Sequence, residues 1–309
     1  MKRTNNLSLD SSFFIACGLA HRALKEGLTR VSKLNVTQYR ALVKLIALAP
    51  KGIIQSELAS LLTIKPNLAS QAIDTLEQHG YALRNKDKGS DGRTRTIYIT
   101  KAGITLAKKA NKAIIEQLYS LFPTQNQEYR SLLEAAIAAG ANIDPPLTSK
   151  ESKRFFASRT LVSLELIIKI TDDALRQACG ASFNECLILL RLSELPYPLR
   201  ISDLAYQLRL SSVTIARSTD RLVKRSWTQR LASPHDKKAV YVGATAQGAK
   251  AQKLIQQTID AIAQTYLWSK LDTEQSRTLA QAGDLVLSGI QASEEAGRKA
   301  AFDLLEPID

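Results

Sequence analysis

The chain has 309 residues, of which 45% are apolar and 23% charged, an ordinary globular composition that excludes a disordered or collagen-like chain for its bulk. Lysine and arginine outnumber aspartate and glutamate 42 to 29, a net charge of +13 that favours a polyanionic partner, nucleic acid first. Three cysteines (Cys17, Cys179, Cys186) are too few for a disulfide framework and no run reaches the ~18 apolar residues that span a bilayer, so a soluble, cytoplasmic protein is expected.

At this length two domains are expected. Phe13, Ala16, Ala20, Leu24 and Leu28 recur at helical spacing and predict a helix over 8–32. Thr37 is a candidate N-cap for a second helix running to about residue 49, where Pro50-Lys51-Gly52 stops it. Ser56 is a candidate cap for a short helix over 57–62. Pro66 suits the first turn of another that runs to His79, with Gly80 as its stop. Tyr81–Asn85 and Arg95–Ile99 then suit strands, and the polar Lys86–Gly92 between them suits a hairpin loop, giving a two-stranded wing. Helices follow at about 101–121 and 125–140, the first with Lys108, Lys109 and Lys112 toward solvent.

This order is then repeated with a period near 146. Glu57-Leu58-Ala59, Ile73-Asp74, Leu76 and Arg84 are answered by Asp203-Leu204-Ala205, Asp220, Leu222 and Arg230. After the loss of one residue, Asp91-x-Arg93, Thr100 and Gly103 align with Asp236-x-Lys238, Thr245 and Gly248. Pro145-Pro146 disfavours helix between the copies. The predicted units are therefore 1–144, with a helix-turn-helix at about 55–80 and a wing at about 81–100, and 151–309, with equivalents at about 201–226 and 227–245, joined by a linker at 145–150. Long helices are expected at about 151–178, 246–269 and 272–292. The halves differ in charge, +10 for 1–150 and +3 for 151–309.

The segment ELASLLTIKPNLASQAIDTLEQHGYALR from Glu57 to Arg84, with the wing DGRTRTIYITKAG from Asp91 to Gly103, resembles the MarR family of bacterial winged-helix transcription regulators. The second copy keeps the helices but has Ser226 for Gly80, Lys238 for Arg93, and Gly243 interrupting the outgoing strand. The resemblance implies a mainly α fold with small β-hairpin wings: two winged helix-turn-helix domains framed by long helices. The family forms dimers through its terminal helices; with two copies on one chain, an intramolecular pseudo-dimer is expected, a monomer in solution with a homodimer as the alternative. Half-sites would lie about 34 to 36 Å apart and form an imperfect palindrome.

The N-terminal part of a recognition helix faces base edges in the major groove. In the first copy this selects Lys65, Asn67, Ser70 and Gln71. In the second it selects the aligned Ser211, Val213, Ala216 and Arg217, with Ser212, Thr214 and Arg221 nearby. Gln71 and Arg217 are the sharpest candidates, since glutamine pairs bidentately with adenine and arginine with guanine. For the wing, the resemblance implies Arg93 as a minor-groove finger oriented by Asp91, with Lys86, Lys88 and Arg95 on phosphates and Lys237 and Lys238 as the second-copy counterparts. It also implies a pocket for a small aromatic or carboxylate effector, for which His21, Arg22 and Tyr39, or Arg191 and Tyr206, are candidates.

No glycine-rich phosphate loop, metal-ligand cluster or nucleophile elbow occurs. No catalysis, metal or cofactor is therefore expected. Cys17 and His21 share helical spacing, but two ligands do not make a site. The leading expectation is a sequence-specific double-stranded DNA-binding regulator, a repressor. Two alternatives stay open: a non-specific architectural nucleic-acid binder, and a regulator whose second unit only dimerises or senses ligand. The C-terminal segment Ser293–Asp309, with Phe302, Leu304 and Leu305, has no assigned role.

Overall fold

The computed structural model describes residues 7–86, 95–143, 155–232, 240–284 and 288. The fold is mainly helical. Its elements run α1 (Ser11–Val31), α2 (Val36–Ala47), β1 (Ile53–Ile54), α3 (Gln55–Leu62), α4 (Pro66–Gln78), β2 (Ala82–Lys86), β3 (Arg95–Ile99), α5 (Lys101–Leu121) and α6 (Gln127–Gly140). The same order then recurs as α7 (Phe156–Cys179), α8 (Phe183–Glu194), β4 (Leu199–Arg200), α9 (Ile201–Leu208), α10 (Ser212–Lys224), β5 (Thr228–Ala232), β6 (Val240–Ala244) and α11 (Ala246–Tyr266). A 3₁₀ turn at Trp268–Lys270 and a helix α12 over 273–284 follow.

Each predicted hairpin is part of a three-stranded antiparallel sheet, in the orders β1-β3-β2 and β4-β6-β5. Ile97 stands between Ile53 and Arg84, and Val242 between Leu199 and Arg230. The two-stranded expectation is corrected because β1 and β4 have two residues each, too short for an alternation to register. Gly243 does not interrupt β6: the strand runs through it, opposite Gln229.

Local chemistry explains most helix boundaries and corrects two expected caps. α2 starts after Asn35, not Thr37: the Asn35 side chain accepts from the Gln38 N–H while the Gln38 side chain accepts from the Asn35 N–H, a reciprocal capping box. α3 starts at Gln55 behind Ile54, with no side-chain cap, so Ser56 lies inside the helix. Pro66 takes the first position of α4 as expected. The turns between α3 and α4 and between α9 and α10 pass through left-handed Thr63 (φ 52°) and Arg209 (φ 55°). Gly80 is left-handed at φ 70°, and Ser226 takes the equivalent conformation at φ 58°, which costs a residue with a Cβ roughly 1–2 kcal/mol.

The motif Thr-x-x-Gly has a physical reason in both copies. The Thr100 hydroxyl accepts from the Gly103 N–H at 3.1 Å, capping α5, and donates to the Gly80 carbonyl at 2.7 Å. Thr245 repeats this with Gly248 at 3.0 Å and Ser226 at 2.6 Å. Each helix then crosses the backbone that leads into the sheet so closely that a Cβ on Gly103 would overlap the Tyr81 carbonyl oxygen, and one on Gly248 that of Trp227.

The chain forms two compact units, and neither is contiguous in sequence. The first holds the described residues of Ala20–Leu166 and Ser288–Asp309, the second those of Met1–Leu19 and Ile167–Leu287. α1 and α7 are thus each divided between units. In the first unit the start of α7 packs on first-copy elements: the Ser158 hydroxyl meets the Tyr39 hydroxyl at 2.8 Å and the Asn111 side chain at 2.8 Å, and buried Arg159 donates to the Ala141 carbonyl at 3.1 Å. In the second unit the N-terminal segment packs on second-copy elements: Phe14 meets Phe183 edge to face at 5.2 Å, the Ser11 N–H donates to Glu194 at 2.9 Å, and the Trp268 indole donates to the Leu7 carbonyl at 2.9 Å. A compact unit therefore does not coincide with either half of the chain as divided at the expected linker 145–150. Residues 144–154, which include that linker and the expected start of α7 at 151, lie outside the described residues, as does Ser293–Asp309.

Gly103→Ala and Gly248→Ala should each lower stability by about 1–3 kcal/mol through overpacking against backbone, measured by urea unfolding. Gly18→Ala, on α1 with nothing within 4 Å of the added Cβ, should be neutral or stabilising by up to about 1 kcal/mol.

Candidate nucleic-acid interface

In the first unit, α4 buries Ala69, Ala72, Ile73 and Leu76, which turns Lys65, Asn67 and Gln71 outward, all exposed, with Ser70 half-buried. Arg95, at the start of β3, is exposed as well. An open cleft of about 560 Å³ brings Ser70 and Arg95 together with Ile54, Gln55, Ser56, Asp74 and Arg84. It lies where the start of α3, the side of α4 and the root of the wing converge.

In the second unit, α10 buries Ile215, Ser218, Thr219 and Leu222 and exposes Ser211, Ser212, Val213, Arg217 and Arg221. Ser211 is the N-cap: its hydroxyl accepts from the Thr214 N–H at 3.1 Å and meets the Thr214 hydroxyl at 2.8 Å. These two hydroxyls thus serve the helix terminus, and Arg221 lies 3.5 Å from the buried carboxylate of Glu185. Arg217 is the cation left toward solvent on the N-terminal half of α10. Lys86 ends β2; the wing residues Lys88, Asp91, Arg93, Lys237 and Lys238 lie outside the described residues.

A paired feature missed in the sequence holds α4 and α10 each to the neighbouring sheet. Arg84 donates to Asp74 at 2.7 Å and to Glu77, both on α4, and Arg230 pairs with Asp220 on α10. These residues had aligned at the 146 spacing, and opposite charges ten residues apart in both copies were the available signal. Arg225 forms a further tie, donating to the Cys179 and Gly180 carbonyls at 3.3 and 2.6 Å while lying over the Trp227 ring.

The effector candidates separate. An open cleft of about 490 Å³ in the first unit is lined by His21, Lys25, Leu28, Thr29, Lys33, Leu34, Asn35, Val36 and Thr37. Tyr39 is not among them: it is fully buried with its hydroxyl on Ser158, and burial pushes its phenol above the ordinary range. Arg22 is exposed outside that lining. In the second unit Arg191 is held by Gln207 at 2.9 Å and Glu194 at 3.2 Å, while Tyr206 lies under the Arg209 guanidinium at 4.6 Å.

His21 hydrogen-bonds Glu165, which raises its pKa above the ordinary 6.5 against the opposing effects of desolvation and Lys25. Cys17 is buried whereas His21 is exposed, so the pair presents no common surface, and no group of three metal-binding side chains occurs among the described residues. The chemically distinct cysteine is Cys179. A hydrogen bond from Cys186 lowers its pKa to about 6, helped by the Ala181 N–H and the Arg225 charge and opposed by burial, while the same bond and burial push the Cys186 thiol up. No described helix is long and apolar enough to cross a membrane.

Residues 182–240 match the MarR family model. That stretch runs from the N-cap of α8 to the first residue of β6 and so contains the second helix-turn-helix. The matched family is one of transcription regulators, not enzymes. Among solved structures, the chain is similar to a MarR family transcriptional regulator from Streptomyces coelicolor in complex with DNA, with 22% identity over 48% of this chain and 94% of that one and a TM-score of 0.42. It is similar also to AbsC, a MarR family transcriptional regulator from the same organism (18% identity, 48% and 99% covered, TM-score 0.40), and to the transcriptional regulator BldR from Sulfolobus solfataricus (20%, 46% and 99%, 0.39). No curated protein matches the chain.

Two titrations follow. The NMR-detected pKa of His21 should lie above 6.5 and return toward it in Glu165→Gln. Because the folded value is the raised one, the stability supplied by this pair is complete below about pH 6.5 and is lost as pH rises through the folded pKa. At pH 7, iodoacetamide should label Cys179 before Cys17 and Cys186, and Cys186→Ala should slow that labelling by withdrawing the hydrogen bond that favours the thiolate.

Proposed function

We propose that this chain is a sequence-specific, double-stranded DNA-binding transcription regulator acting as a repressor, a tandem duplication in which one chain supplies both halves of a pseudo-dimer. The observation that carries the reading is the pairing of two helix-turn-helix and sheet assemblies with a reciprocal division of α1 and α7 between the units. In a two-chain dimer such a division would require a second polypeptide, and here both partners lie on one chain. The exposed polar faces of α4 and α10, the net charge of +13 and the family match over 182–240 support DNA as the partner.

The two faces differ, with Lys65, Asn67 and Gln71 on one and Ser212 and Arg217 on the other, so the operator is an imperfect palindrome. Arg93 and Asp91, and Lys237 and Lys238, are proposed to join this surface, with Lys86, Lys88 and Arg95 on phosphates. The cleft at His21, Lys25 and Lys33 is cationic and partly apolar, which suits release by a small aromatic or carboxylate effector. One observation favours a lesser role for the second unit: Ser211 and Thr214 serve the α10 cap and Arg221 leans on Glu185, which leaves base reading there mainly to Arg217.

Light scattering of the protein with an operator selected from random duplexes should give one 34.0 kDa chain per duplex; two chains per duplex would overturn the single-chain pseudo-dimer. Gln71→Ala and Arg217→Ala should each cost about 1 to 3 kcal/mol of binding and relax preference in one half-site only. Unchanged affinity in Arg217→Ala would assign the second unit to dimerisation or sensing. Affinity should fall steeply with salt as released counterions predict, and equal competition by scrambled DNA would overturn sequence specificity.

A further inference from the structure

Each exposed recognition face carries one large apolar side chain among polar neighbours. Leu68, the third residue of α4, is 44% exposed, and Val213, the second residue of α10, is 59% exposed, the highest value among exposed large apolar side chains of the described residues. Neither belongs to the core, which the two helices reach through Ala69 and Ile73 and through Ile215 and Leu222. Val213 is β-branched and slightly disfavours the helix it opens, and both hydrocarbons stand in water.

Resting on the reading above, we infer that Leu68 and Val213 are specificity-determining residues that contact the C5-methyl groups of thymines. The thymine methyl is the one apolar feature that base edges present in the major groove, and it marks A·T pairs by direction. The surroundings favour this occupant over a protein: Leu68 is flanked by Lys65, Asn67 and Gln71, and Val213 by Ser212 and Arg217, all exposed. They form a polar and cationic rim that suits phosphates and base edges rather than an apolar interface core.

The two helices place this feature in different registers. With the copies offset by 146, Leu68 aligns with Thr214 and Val213 with Asn67, so the polar and apolar positions are exchanged between α4 and α10. One residue along a helix is a rise of about 1.5 Å and a rotation of about 100°. The sensitive thymines therefore fall at non-equivalent positions in the two half-sites.

The test replaces each thymine of the selected operator, one at a time, with deoxyuridine, which removes the methyl group and keeps the hydrogen-bonding edge. Binding of the full chain should weaken about fourfold, the worth of one buried methylene-sized group, at one position in each half-site. The first sensitivity should vanish in Leu68→Ala and the second in Val213→Ala, at non-equivalent positions. Both variants place the best helix former at exposed helical sites, so their unfolding midpoints should not fall. A specific operator with no uridine-sensitive position, or with sensitivities that survive in both variants, overturns this inference alone. Failure of selection to return any preferred sequence overturns the underlying reading and this inference with it.

Discussion

The hydroxyls of Thr100 and Thr245 each hold two pieces of backbone at once, because each accepts from an N–H in the first turn of a long helix and donates to the carbonyl of the left-handed residue that follows α4 or α10. The direction in which α4 or α10 points is thereby tied to the long helix that follows its sheet. The glycine three residues on is required by the same geometry, since the long helix must pass over the chain entering the sheet with no room for a side chain. Remove either element and β2 or β5 loses its fixed relation to the helix whose exposed face it extends. The Asp74–Arg84 and Asp220–Arg230 pairs add a second tie from the other side.

These pairs also bear on charge. An excess of 13 positive charges does not mean 13 free cations, and the basic residues nearest the exposed faces of α4 and α10 divide into two kinds. Arg84, Arg225 and Arg230 hold the framework together through carboxylates and carbonyls, while Lys65, Arg95 and Arg217 stand in solvent. Sequence spacing alone does not separate the two kinds, because both occur beside the same apolar residues.

What could be read in advance followed from periodicity and from residues with fixed conformational demands. α4 was legible from Pro66 and Gly80, α1 from its apolar stripe, and the recurring element order from paired positions 146 apart. β1 and β4 were not, because two residues carry no period. The caps at Thr37 and Ser56 were misplaced, since Asn35 with Gln38 makes a reciprocal pair that outcompetes a lone threonine and α3 begins with no side-chain cap. Tyr39 was misjudged for a related reason: its neighbour Ser158 comes from 119 residues away, and long-range packing leaves no local mark. The low thiol pKa of Cys179 likewise depends on Cys186 and on Arg225, and neither partnership is a motif.

The divided helices carry a consequence for how the chain is made. As it leaves the ribosome, the first winged helix is complete in sequence by Leu121, yet its unit must wait for Ser158 and Arg159 to emerge before Tyr39, Asn111 and Ala141 find their partners. The segment around Leu7 waits longer, since Trp268 follows it by 261 residues. Until then the apolar side of Phe13 and Phe14 has no second-copy surface to cover it, so the nascent protein passes through a long interval in which its amino-terminal helix offers binding surface to chaperones or to another nascent copy. The contacts that end this interval form within the chain, at a closure cost that grows only as the logarithm of the intervening length.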